Sequence, residues 1–205
     1  MEFQAQDAIQ WIGLTNEKIQ ANKEYLTSLD QVIGDSDHGI NMSRGFQEAV
    51  NKISGESYDT ASDVLKDVAM TLMSKVGGAS GPLFGTLFLK LSTTFKGNDP
   101  VDYATFTSGL EEALSGVMQR GKATKGEKTL VDVWAPVVEH FKQENAFQAD
   151  KILEVAKTAM ENTKDLMATK GRAAYFKEKS IGHIDPGSAS SYYIFEALAE
   201  AEGGY

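Results

Sequence analysis

Apolar residues recur at steps of three and four along almost the whole chain, and the two-residue alternation of a half-buried strand is nearly absent. Ala61, Val64, Leu65, Val68, Ala69, Leu72 and Val76 show the pattern, which gathers one face of a helix. The same period runs through 5–26, 40–53, 83–95, 106–118, 131–141, 152–167 and 189–199, and predicts an all-α fold of about eight helices. Pro82, Pro100 and Pro186 fall at turns between these segments, where a missing N–H does no damage, and Pro136 falls in the first turns of its helix. No composition break divides the 205 residues, so 1–205 reads as one helical domain.

Charge narrows the function. With 29 acidic against 20 basic residues the net charge is −9, a sign that does not coat DNA or anionic lipid, so nucleic acid and membrane surfaces are excluded as general partners. An acidic protein binds a polyphosphate when divalent cations supply the positive charge. The absence of cysteine removes disulfides, thiolate metal sites and thiol nucleophiles. Neither a basic, apolar leader nor a membrane-length apolar run is present, which predicts a cytoplasmic protein.

The connectors 30–39, 77–82, 121–128 and 182–187 carry glycines and chemically useful residues. Asp30, Asp35 and Asp37 lie close together between glycines that let the chain fold back, and three converging carboxylates repel one another unless a cation sits among them. Oxygen donors without sulfur or clustered imidazole suit Mg²⁺, whereas a calcium loop counted from Asp35 would need glutamate where Phe46 stands. The same aspartates also serve as turn formers and as a cap for the next helix, and spacing alone leaves both readings open. The turn Gly77-Gly78-Ala79-Ser80-Gly81-Pro82 offers backbone N–H groups to an anion or permits tight helix packing. It matches neither a Walker loop nor a nucleophile elbow. The basic loop 121–129 either leans over a phosphate or is a solvated surface loop. Likewise His38, His183 and Arg172 are phosphate contacts or ordinary loop residues. His140 reads as a plain helix residue.

Taken in order, Gly34-Asp35-Ser36-Asp37-His38-Gly39 with Asn41-Met42, then Gly77 to Pro82, Gly126-Glu127-Lys128-Thr129 and Gly182-His183-Ile184-Asp185-Pro186-Gly187 resemble the nucleotide-binding L subunits of bacterial dihydroxyacetone kinases. The resemblance spans 7–198. One departure is Ser36, where the family usually has glycine. The resemblance implies a barrel of eight antiparallel helices with the nucleotide at one end. It also implies ADP or ATP held through two Mg²⁺ ions on Asp30, Asp35 and Asp37, beside a nucleotide pocket made by His38, Gly39, Ile40, Asn41, Ala79, Ser80, Gly121, Leu130, Arg172, Asp185, Pro186 and Gly187.

It further implies phosphoryl transfer by alignment and charge neutralisation, without a covalent nucleophile. The acceptor would be dihydroxyacetone on a separate substrate-binding kinase subunit. The donor would be a phosphohistidine carrier of the sugar phosphotransferase system that recharges a retained ADP. A homodimer is compatible with this reading. Two other readings stay open on sequence, an ATP-exchanging kinase module acting on another substrate and a non-catalytic regulatory paralogue.

Overall fold

Each of the eight periodic segments becomes a helix in the computed structural model, which describes residues 1–203, and one of them is cut in two. The first period divides into α1 (Ala5–Ala21) and α2 (Lys23–Ile33). Between them Asn22 leaves the helical region (φ −109°, ψ 15°) while its side-chain amide donates to the Lys18 carbonyl at 2.9 Å. An amide that satisfies the backbone locally competes with continuation of the helix. The remaining helices are α3 (His38–Ser54), α4 (Ala61–Lys75), α5 (Ser80–Phe95), α6 (Tyr103–Gly121), α7 (Val131–Gln143), α8 (Ala149–Asn162) and α9 (Pro186–Gly203). Pro136 lies inside α7. Helix α8 stops at Asn162, short of the predicted 167, and continues as a 3₁₀ turn over Thr163–Asp165; a second 3₁₀ stretch covers Arg172–Ser180. Two short strands, β1 (Glu2–Phe3) and β2 (Val101–Asp102), pair antiparallel.

Helices α1, α3, α4, α5, α6, α7, α8 and α9 each pack on the next, and α9 returns onto α1, so eight helices close a ring. Neighbours run antiparallel: Asn16 meets Gln47 where Gln20 meets Ser43, and Lys52 meets Asp67 where Arg44 meets the Lys75 carbonyl. Helix α2 lies outside the ring against α3, α9 and the Arg172–Ser180 stretch.

Large aromatics fill the interior. Phe3 packs edge-on against Trp11, Phe95 and Phe106 at 5.1–6.1 Å, bringing the β1–β2 pair onto one end of the ring. Trp11 donates its indole N–H to the Ile194 carbonyl and Trp134 donates to Ser191, so neither buried ring leaves a polar atom unmet. The antiparallel order gathers the N-termini of α3, α5, α7 and α9 at the other end. Each contributes the positive pole of its helix dipole there, which gives an acidic chain one end suited to anions.

Candidate functional site

At that end α2 finishes with Asp30, 8 % exposed, whose carboxylate accepts the N–H groups of Asp37 (2.9 Å) and His38 (3.0 Å). The turn therefore folds back onto its own first aspartate. Gly34 makes this possible, because a Cβ there would stand 1.8 Å from Asp30 Oδ1. Ser36 occupies the left-handed region with φ 67°, a conformation in which a Cβ is strained and glycine is not. Asp37 begins α3 but caps nothing with its side chain, which leaves its carboxylate, like that of Asp35, exposed to the cleft.

One carboxylate oxygen from each of Asp30, Asp35 and Asp37 lies within 4.8 Å of the others. Desolvation and the neighbouring charge of Asp37 raise the pKa of Asp35, against the lowering pull of Arg172. This compact, mutually repelling set of hard oxygen donors fits a divalent cation such as Mg²⁺. Arg172 pairs with Asp35 at 2.9 Å across the mouth of the cleft.

Opposite the aspartates the α4–α5 turn closes tightly. A Cβ on Gly81 would meet the Val76 carbonyl at 2.4 Å, and Gly78 has φ 63°. Helix α5 opens on Ala79 with no side-chain cap, and Pro82 carries no N–H, which leaves the N–H groups of Ser80 and Gly81 for the cleft. His38 ties this turn to α9, with Nε2 at 2.7 Å from Ser190 Oγ and Nδ1 at 3.3 Å from Ser80 Oγ. Burial holds its pKa down to about 4, against the charges of Asp30 and Asp37, so the imidazole is neutral and both ring nitrogens are engaged.

The third wall joins the α6–α7 loop to the start of α9. Asp132 accepts the N–H groups of Gly126 and Thr129. Asp185 caps α9 through the Ser188 N–H at 2.7 Å, and burial raises its pKa to about 6. Lys128 points inward, although its loop reads in sequence as a candidate for a solvated surface; Lys122 and Lys125 do lie exposed.

Eleven of the fifteen site residues implied by the resemblance line one cavity of about 400 Å³, namely Asp30, Asp35, Asp37, His38, Ala79, Ser80, Leu130, Arg172, Asp185, Pro186 and Gly187, together with Gly77, Gly78, Lys128 and Thr129 of the glycine-bearing motifs. Gly121 lines an adjoining, largely apolar cavity of about 340 Å³ that shares Ala79, Leu83 and Leu130 with the first. Gly39, Ile40 and Asn41 line neither. Gly39 seats α3 on α2, where a Cβ would stand 2.2 Å from the Lys23 carbonyl, and Asn41 packs beneath Gly77 while accepting from Arg44. Ile40 faces solvent. Sequence reasoning did not single out Ile33, Leu83, Phe84, Lys170, Gly171 and Ala173, which also line this cavity. For Lys170 and Gly171 the glycine turn before Arg172 was the only signal.

A polar, cation-ready cleft beside an apolar slot suits a ligand with a polyphosphate and a flat ring. The family model for the DAK2 domain matches residues 32–200. The chain belongs to the DAK2-domain family. This DAK2 protein is 45 % identical over 202 residues to the ADP-binding subunit DhaL of PEP-dependent dihydroxyacetone kinase 1 from Listeria innocua, covering 98 % of this chain and 99 % of that one. It is 46 % identical over 192 residues to the ADP-binding subunit DhaL of the PTS-dependent dihydroxyacetone kinase from Lactococcus lactis, covering 94 % and 95 %. The crystal structure of the dihydroxyacetone kinase from C. freundii in complex with AMP-PNP and Mg²⁺ superposes with a TM-score of 0.74 at 20 % identity. That match covers 95 % of this chain and 34 % of the longer C. freundii chain, and shows the fold. No helix among the described residues is long and apolar enough to cross a membrane.

Proposed function

We propose that this chain is the ADP-binding, phosphoryl-transferring subunit of a dihydroxyacetone kinase. In this reading ADP stays in the cleft and takes a phosphoryl group from a phosphohistidine carrier protein of the phosphotransferase system. The resulting ATP gives that group to a hydroxyl of dihydroxyacetone held on a separate subunit, releasing dihydroxyacetone phosphate and restoring ADP. Residues 1–205 act as one nucleotide-binding unit in the cytoplasm. The observation that carries the reading is the meeting of three aspartates and an uncapped glycine turn in one cavity with an apolar annex, in a chain 45 % identical to a DhaL ADP-binding subunit.

Asp30, Asp35 and Asp37 are the residues that would hold Mg²⁺, with two ions as the expected number. When bound, the metal neutralises phosphate charge and orients the transferring group. The chain's own contributions are positional. The N–H groups of Ser80 and Gly81 receive phosphate oxygens at the positive end of α5. Arg172 exchanges its carboxylate partner for phosphate, to which its planar guanidinium is equally suited. Leu83, Leu130 and the flank of Gly121 offer an apolar slot for the base. His38 neither accepts a proton near neutrality nor has a free nitrogen, so it positions α5 against α9 and does not serve as a base. This suits a transfer that requires alignment and charge neutralisation more than proton abstraction.

The test is to denature protein purified without added nucleotide and quantify the adenine nucleotide and magnesium released. Near-stoichiometric ADP with about two Mg²⁺ per chain, the number for a two-metal clamp, supports a retained coenzyme recharged by a carrier. An empty protein that binds Mg-ATP weakly supports a kinase that exchanges nucleotide. Failure to bind any nucleotide refutes the proposal.

A further inference from the structure

Lys128 is the one lysine among the described residues whose side chain is buried, at 1 % exposure, and its backbone lies in the left-handed region at φ 61°. Its Nζ donates to the main-chain carbonyls of Thr163 (2.6 Å), Leu166 (3.1 Å) and His183. Three carbonyl acceptors consume three N–H donors, so this geometry requires the full ammonium. Burial pulls its pKa down, and the charges of Asp185, Asp165 and Asp132 oppose that pull.

The three carbonyls come from separate places, namely the end of α8, the start of the segment leading to Arg172, and the loop before α9. Lys128 itself stands two residues before Leu130, and His183 two residues before Asp185. Further bonds follow the same seam. Asp185 N–H donates to Thr163 Oγ1 at 3.1 Å, and Ser188 Oγ donates to the Thr129 carbonyl at 2.8 Å. One charged side chain thus joins the stretches that form a whole wall of the cleft.

We infer that Lys128 is a positioning residue for the nucleotide, its ammonium filling a carbonyl cage as a resident cation would and holding 128–130 against 183–187. The inference rests on the nucleotide-binding reading above. Neutral replacements remove the donor shared by these buried and part-buried carbonyls, leaving Thr163 with only the Leu166 N–H at 3.2 Å, and the wall then loses its register.

Two measurements test it. In wild-type protein labelled with ¹⁵N-lysine, the caged ammonium gives a slowly exchanging Nζ–H signal at neutral pH that shifts when Mg-ADP is added; absence of the signal, or no shift on binding, overturns the inference. In Lys128→Met and Lys128→Ala, Mg-ADP affinity measured by calorimetry falls by about ten- to a hundredfold, the usual effect of losing an orienting partner behind a binding group. The Ala variant recovers affinity with n-propylammonium, which replaces the missing Cγ to Nζ atoms, and does not recover with 1-propanol at the same concentration. Affinity in the Met variant within about twofold of wild type, or equal recovery with both additives, overturns the inference. If neither variant folds, the wild-type signal and its shift decide. Should wild-type protein itself bind no Mg-ADP, the functional reading fails, while the protected signal still reports whether the ammonium is caged.

Discussion

Replacing Gly34 with alanine is expected to damage the aspartate turn through one steric conflict whose size follows from the geometry. The new Cβ would lie 1.8 Å from Asp30 Oδ1, and Asp30 is buried and bonded, so it is not a flexible side-chain tip that moves at no cost. To make room the carboxylate must leave the N–H groups of Asp37 and His38, and hydrogen bonds to a charged acceptor contribute about 1.5–3 kcal/mol each. Alanine recovers about 0.4–1 kcal/mol by restricting the unfolded chain. With part of the contact re-formed after relaxation, the net loss is about 3 kcal/mol, and at about 2–4 °C per kcal/mol for a chain of this size Tm falls by about 6–12 °C. Thermal unfolding in EDTA isolates this effect from metal binding. Gly13→Ala is the control, since Gly13 lies within α1 with nothing within 4 Å of its would-be Cβ, and alanine there gains up to about 1 kcal/mol. The reasoning is refuted if Gly34→Ala melts at or above wild type while Gly13→Ala behaves as expected.

The other expectations concern neighbouring groups. Ser36→Gly removes a Cβ from a left-handed residue and raises stability by about 0.5–1 kcal/mol after the added unfolded-state freedom is subtracted, readable as a small rise in Tm. Asp35→Asn and Asp37→Asn weaken Mg-ADP binding by about tenfold or more in calorimetry while leaving metal-free stability unchanged or higher, because like charges are separated. Asp185 has a folded pKa of about 6 against an ordinary 3.8, so the folded state holds its proton more tightly than the unfolded chain. Its contribution is therefore most favourable below pH 4 and declines by about 3 kcal/mol in all as pH rises through 6, from about 1.4 kcal/mol per unit. The Tm of wild type relative to Asp185→Asn should fall across that interval, and a flat difference would contradict the burial argument.

Period and turn chemistry were enough to read the helices and the glycine-bearing turns, because both are encoded locally, whereas residues such as Leu130, Pro186 and Gly187 came from the resemblance. The apolar stripe of 61–76 and the glycine-flanked aspartates each carry their meaning within a few residues. The break at Asn22 escaped because the apolar spacing continues through it and only a side-chain bond to Lys18 interrupts the helix. Closure of the ring depends on α9 meeting α1 across the length of the chain, a contact that no local pattern contains. Gly39 and Asn41 entered the expected pocket through the resemblance, and the structure gives them helix-packing partners. Lys128 could not be placed from sequence, because a lysine in a glycine-bearing, basic loop reads as solvated or as a phosphate contact until three distant carbonyls are brought to its tip.

The return of α9 onto α1 also fixes where α1 begins and where α9 ends relative to each other. Asp7 in the first turn of α1 lies close enough to Glu202 in the last turn of α9 that its charge, after burial, helps push that glutamate up to about 7. The first turn of α1 and the last turn of α9 therefore lie next to each other, at the end of the ring away from the cleft. A second domain can be joined genetically beside either helix end without shading the mouth. The same adjacency makes the ring a candidate for circular permutation, with a short linker from α9 to α1 and new ends opened in the exposed connector between α3 and α4.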